Sequence, residues 1–144
     1  MSKVIIIGGG FGGLSLLQEA RKSEHQFVLI DKTNHHLFQP LLYQVATAVL
    51  SPADITVPIR KLFKKDKNVQ ITLGEVVDIN KERKEIILNS NEKIKYDQLV
   101  ISTGSSYSYF GNDEWSKYSK GLKDINDALD IREKILKLAQ IMYL

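Results

Sequence analysis

The run Gly8-Gly9-Gly10-Phe11-Gly12-Gly13 stands directly behind Val4-Ile5-Ile6-Ile7, and no other feature restricts the fold of this chain as much. Four consecutive β-branched residues predict a short strand buried on both faces, of the kind found in parallel sheets. The glycines end that strand at once, because backbone without Cβ atoms turns where other residues cannot. From Gly12 to Arg21, Leu14, Leu17 and Ala20 recur at helical spacing, with Arg21 and Lys22 in the last turn. That pattern predicts a helix. Phe27-Val28-Leu29-Ile30 then predicts a second buried strand, ending at Asp31. Strand, glycine turn, helix and strand make a βαβ opening in about thirty residues.

Gly8, Gly10 and Gly13 have the spacing G-x-G-x-x-G. The first glycine allows the tight turn out of the strand. The second lets backbone approach a pyrophosphate, and the third lets the helix pack closely on the sheet. The helix start presents free N–H groups and a partial positive charge to phosphate. Asp31, about twenty residues further on, is placed to accept hydrogen bonds from an adenosine ribose. Its charge disfavours a 2′-phosphate; Lys32, beside it, offsets that repulsion and is counted with the cofactor-binding positions. The spacing alone does not separate FAD from NAD. Two features lean towards FAD: the motif lies at the extreme N-terminus, and a second element, Tyr96 to Gly104, follows a meander.

The remaining pattern supports an α/β, Rossmann-like domain with a parallel sheet, helices and an antiparallel β-meander. Val69 to Ile79, Lys84 to Leu88 and Lys93 to Tyr96 read as strands of that meander, with turns at Asn80–Arg83 and Asn89–Asn91. Gln98 to Ser102 reads as another buried strand. Ser51-Pro52-Ala53-Asp54 is a helix-start signal, with a short basic helix expected around Val57 to Lys65. Asn126 to Leu138 is expected to form an amphipathic helix with Ile125, Leu129, Ile135 and Leu136 on or near one face. Tyr107, Tyr109, Phe110 and Trp115 are expected to pack over a sheet edge.

Composition removes several functions. There is no cysteine among the 144 residues, which excludes thiolate metal sites and a cysteine nucleophile within them. A formal charge of +3 is too small to argue for nucleic acid. His35 and His36 are adjacent on an extended segment and point apart, so no metal site is expected. Arg60, Lys61, Lys64, Lys65 and Lys67 read as a solvated basic face, with peripheral contact to an anionic membrane as the second reading. No stretch has the length of a signal peptide or a spanning helix, and a cytoplasmic location is expected.

Val4 to Leu14, then Leu37-Phe38-Gln39-Pro40-Leu41-Leu42-Tyr43-Gln44-Val45-Ala46-Thr47-Ala48, then Tyr96 to Gly104 resemble the type II, non-proton-pumping NADH:quinone oxidoreductases. These belong to the flavoproteins with two dinucleotide-binding domains. The resemblance implies that Gly8, Gly10, Phe11, Gly12 and Gly13 cradle the FAD pyrophosphate and that Asp31 holds its ribose. It implies backbone contacts from Val76 to the adenine, closure by Thr103 and Gly104, and a place near the flavin ring for Pro40, Leu41 and Leu42. It also implies NADH and a membrane quinone as partners, attachment to the cytoplasmic face of the membrane, and no catalytic side chain, because the flavin carries the chemistry.

Members of that family are about three times as long. Residues 1–123 are expected to be the N-terminal portion of the FAD-binding domain, and 124–144 a helix leading into an NADH domain absent from this chain. The tail from Leu138 to Leu144 departs from the family pattern and reads as a truncation. A non-catalytic nucleotide-binding module and a non-functional fragment are the alternatives.

Overall fold

The computed structural model describes residues 1–142; Tyr143 and Leu144, the end of the tail, lie outside them. The elements are β1 (Lys3–Ile7), α1 (Phe11–Ala20), β2 (Gln26–Asp31), β3 (His35–Leu37), α2 (Leu42–Ala46), β4 (Thr56–Pro58), α3 (Ile59–Leu62), β5 (Val69–Leu73), β6 (Val76–Asn80), β7 (Glu85–Leu88), β8 (Lys93–Lys95), β9 (Gln98–Ile101) and α4 (Ile125–Met142). Short 3₁₀ turns occupy Gln39–Leu41, Pro52–Ile55 and Asp113–Lys117. The chain divides into two compact units. The first holds Met1–His36 and Val57–Gly104; the second holds Leu37–Thr56 and the described residues from Ser105 onward.

The first unit is built on a four-stranded sheet of order β5-β2-β1-β9. Every pairing in it is parallel: Ile5 lies opposite Val28 and Leu99, and Leu29 opposite Ile71. Successive side chains on a strand point to opposite faces, so the apolar runs feed two cores. Val4, Ile6, Phe27 and Leu29 pack with Leu14 and Leu17 of α1 and with Ile59 and Phe63. Ile5, Ile7, Val28 and Ile30 pack with Ile86 and Leu88 of β7. Helices thus cover one face, and the antiparallel sheet β6-β7-β8 covers the other. A fully buried side chain such as Ile6 or Leu29 stabilises the fold by ~1.5–3 kcal/mol.

Three elements differ from expectation. The stretch from Val69 to Ile79 is not one meander strand. Val69–Leu73 joins the parallel sheet, and Val76–Asn80 joins the antiparallel one. Gly74 and Glu75 make the break: the Gly74 N–H donates to the Asp31 carbonyl at 2.9 Å, and the Asn89 N–H to the Glu75 carbonyl at 2.8 Å. Gly74 marks a break in the run, but nothing in the sequence says which sheet each half will join. The basic helix shrinks to the single turn Ile59–Leu62, because Pro58 is its N-cap and Val57 is in β4. The signal at Ser51 caps only the 3₁₀ turn after it. The Ser51 N–H donates to Asp54 Oδ2 at 2.8 Å, and the Ser51 backbone and hydroxyl hold the Asp54 carboxyl below its ordinary pKa.

In the second unit α4 packs on α2. Ala128 is buried, and Ile125 and Ile131 pack against Leu42, Val45, Ala46 and Ile55. Leu129, Ile135 and Leu136, expected on the packing face, are exposed instead. The helix carries apolar residues around much of its circumference, and the position of α2 selects the face. Phe110 and Trp115 likewise are not buried: they are 89% and 52% exposed.

Asp124 and Asp127 cap α4 reciprocally. The Asp127 N–H donates to Asp124 Oδ1 at 3.0 Å, and the Asp124 N–H to Asp127 Oδ2 at 3.1 Å. The Tyr107 hydroxyl also donates to Asp127 Oδ2, and its ring lies over Gly121, where a Cβ would overlap it. Burial and the Asp127 carboxylate push the Tyr107 phenol above its ordinary value. Burial pushes Asp127 up, but the Tyr107 hydroxyl, the N–H groups of Lys123 and Asp124 and the Lys120 charge outweigh it, and the carboxyl titrates below its ordinary 3.8. A depressed carboxyl adds stability above its unfolded pKa and loses it as pH falls through the folded value. Tyr107→Phe should therefore lower the melting temperature by ~3 °C at neutral pH. The difference from wild type should narrow below about pH 3.8, as the Asp127 carboxyl protonates; a difference that persists in acid would contradict this account.

Candidate functional site

The C-terminal edge of the parallel sheet carries the glycine turn. Gly8 leaves β1 with φ at +106°, and its N–H donates to the Ile30 carbonyl at 2.8 Å. A Cβ there would overlap the Ser102 carbonyl oxygen. A Cβ on Gly13 would overlap the carbonyl oxygen of Gly8 and come within 2.8 Å of Ser102 Oγ. Ser102 directly follows β9 and ties the turn down: its hydroxyl donates to the carbonyls of Ile7 at 2.9 Å and Gly8 at 3.1 Å. Two glycines are therefore required by close approach of backbone.

Gly10 differs from these. It is the N-cap of α1, with no side-chain cap, and nothing lies within 4 Å of where its Cβ would be. Absence of a side chain here leaves open space against the free N–H groups of a ten-residue helix. That is the cradle a phosphate requires. A Cβ on Gly12 would make ordinary contact with Ser102, and Phe11 is half exposed.

Asp31 ends β2 beside the turn. Its Oδ2 accepts the Gly9 N–H at 2.5 Å, and its Oδ1 accepts the Thr33 N–H at 2.6 Å and the Thr33 hydroxyl at 2.7 Å. A cleft of 180 Å³ opens next to it and brings together Gly8, Asp31, Lys32, Val76 and Thr103 from four separate stretches of chain. Gly74 and Glu75 also line it. Gly104 follows Thr103 with φ at +77°. Pro40, Leu41 and Leu42 belong to the second unit, where Pro40 is exposed, Leu41 half-buried and Leu42 buried in the core.

Several contributors escaped the sequence reading. Gly9, His36, Gly74, Glu75 and Ser102 belong to the turn or touch it or the cleft, and Thr33 holds the Asp31 carboxylate. Only Gly9 had a local signal, its place inside the motif. Ser102 meets Gly8 across 94 residues of chain, and nothing near it in sequence marks that contact. His35 and His36 do point apart: His35 Nδ1 pairs with Asn34 Oδ1 at 3.2 Å, and His36 turns to the Gly9 carbonyl.

A glycine turn between a parallel strand and a helix, facing an acid at the end of the next strand, defines a dinucleotide-binding fold. Known proteins agree. The family model for pyridine nucleotide-disulphide oxidoreductases matches residues 2–142, and the chain belongs to that family. The type II NADH:quinone oxidoreductase Ndh of Mycobacterium tuberculosis is 42% identical over 137 residues, covering 93% of this chain and 30% of the relative. A probable NADH dehydrogenase of Dictyostelium discoideum is 34% identical over 143 residues, covering 94% of this chain and 31% of the relative. NDH2 from Plasmodium falciparum, solved in complex with NADH, superposes with a TM-score of 0.83 at 33% identity. It covers 99% of this chain, which spans 30% of that one. The sulfide:quinone oxidoreductase of Aquifex aeolicus reaches the same TM-score at 26% identity, over 97% of this chain and 33% of that one. The chain thus spans about 30% of the length of the curated relatives it matches. Despite the family's name, no cysteine is present, so no disulfide chemistry passes through these residues.

Among the described residues no helix is long and apolar enough to cross a membrane.

Proposed function

We propose that this chain is the FAD-binding N-terminal part of an NADH:quinone oxidoreductase. The observation that carries the reading is the meeting of an open Gly10, an Asp31 carboxylate and the cleft between Val76 and Thr103 at one sheet edge. In this reading Gly8, Gly10, Phe11, Gly12 and Gly13 take the pyrophosphate of FAD, with the α1 N–H groups supplying positive potential. The Asp31 carboxylate accepts from the ribose, Lys32 lies alongside, and Val76 offers backbone to the adenine. Thr103 and Gly104 close over the cofactor. FAD held there would supply the hydride and electron-transfer chemistry between NADH and a quinone. The protein's share is binding and orientation.

Residues 1–123 are then the first portion of the FAD domain, and 124–144 the segment leading towards an NADH domain. The NADH and quinone sites would lie largely outside these 144 residues, so this chain alone would not turn over. Peripheral attachment to the cytoplasmic face of a membrane would belong to the whole protein. M. tuberculosis Ndh, named as an NADH:quinone oxidoreductase and 42% identical, supports the reaction; the cradle at Gly10 supports the cofactor.

The test is an absorbance spectrum of the purified chain after FAD is added and the excess removed. A retained yellow flavin band supports the reading. A folded chain with no band, at FAD concentrations that saturate a relative, would overturn it for these residues.

A further inference from the structure

Three glycines in succession form the most flexible turn a chain can make, yet Gly9 is held on both sides. Its N–H donates to Asp31 Oδ2 at 2.5 Å. Its carbonyl meets His36 Nδ1 at 3.1 Å. A carbonyl only accepts, so Nδ1 carries the proton. The His36 ring is in turn fixed edge-on against Phe11, with centroids 5.0 Å apart at 89°. There is no slack on the third side: a Cβ on Gly9 would lie 2.6 Å from Ile59 Cδ1, and Ile59 is fully buried.

We infer that His36 is a positioning residue for the glycine turn, setting the Gly9–Gly10 peptide for a bound pyrophosphate. The peptide is planar and trans, so its C=O and N–H point in opposite directions. Drawing the Gly9 carbonyl towards His36 turns the Gly10 N–H to the opposite side of that peptide, and no atom lies within 4 Å of the Gly10 Cβ position. Without that bond the peptide is free to rotate, and ordering it on binding costs affinity. This inference rests on the dinucleotide reading above.

The asparagine side chain places Nδ2 the same number of bonds from the backbone as His Nδ1, so His36→Asn keeps the donor. His36→Leu removes it and keeps apolar bulk against Phe11. For one lost hydrogen bond, His36→Leu should weaken binding of both FAD and ADP by ~5- to 10-fold, and His36→Asn should stay within ~2-fold of wild type. The melting temperature of ligand-free His36→Leu should fall by about 3 °C, as for one lost hydrogen bond, and His36→Asn should recover most of that. A structural role alone would lower the melting temperature of His36→Leu and leave its affinity for FAD and ADP at the wild-type value. Binding by His36→Leu equal to wild type, or asparagine no better than leucine, overturns the inference.

The same variants are read without ligand by the Gly9 carbonyl ¹³C shift, which reports its hydrogen bond. Should wild type bind neither FAD nor ADP, the cofactor reading fails and the shift decides the positioning claim. A change in His36→Leu restored in His36→Asn supports it, and an unchanged shift overturns it.

Discussion

Gly13→Ala is expected to abolish flavin retention and to lower stability by about 3 kcal/mol, roughly 10 °C in melting temperature. The added methyl would overlap the Gly8 carbonyl oxygen and press on Ser102 Oγ. Both are backbone or backbone-tethered, because the Ser102 N–H and hydroxyl are bonded to the Ile7 carbonyl. Neither side can yield, so α1 must lift away from Leu29 and the other residues under it. Gly10→Ala is the informative companion. Nothing lies within 4 Å of its Cβ position, so its melting temperature should match wild type within about 2 °C, inside the small range of most surface changes. Its affinity for FAD should still fall by ~100-fold, because the methyl occupies the approach to phosphate. Thermal melts and a flavin-fluorescence titration on the two variants measure both effects. Normal FAD binding by Gly10→Ala would remove Gly10 from the site.

Asp31→Ala is the second large effect. The carboxylate has a contact on each oxygen: the Gly9 N–H on one, and the Thr33 N–H and hydroxyl on the other. Deleting it leaves two backbone donors without their acceptor beside the motif, a loss of about 2 kcal/mol. It also removes the acceptor assigned to the ribose, so FAD affinity should fall by ~100-fold or more. Asp31→Asn should not rescue. An amide offers oxygen on one side only, and its NH₂ on the other would face an N–H donor. Isothermal titration with FAD and a denaturant melt on both variants measure the two losses. Full retention of FAD by Asp31→Asn would show that the ligand does not need the carboxylate.

The first thirty residues were legible because their information is local. β-Branched residues, glycines and a leucine stripe each restrict a few neighbouring dihedrals, and β1, α1 and β2 follow in order. Gly8 and Gly13 were legible as necessary glycines, although the atoms that forbid a Cβ were not. The choice of packing face on α4 was not legible. Ile125 and Ile131 turn inward and Leu129 and Leu136 outward, although hydrophobicity hardly distinguishes them. The division of Val69–Ile79 between two sheets was hidden for the same reason: each half has the residues of a strand, and the available partners differ.

Sequence by itself determined a parallel βαβ opening, a gap in side chains at Gly10, and an acid at the end of the second strand. Tertiary structure alone decided what holds them in place: Ser102 under the turn, His36 on the Gly9 carbonyl, and the antiparallel sheet over the second face of the parallel one. Backbone geometry and side-chain periodicity are properties of neighbours in the chain. Hydrogen bonds across 27 or 94 residues exist only once burial of apolar surface has brought distant segments together.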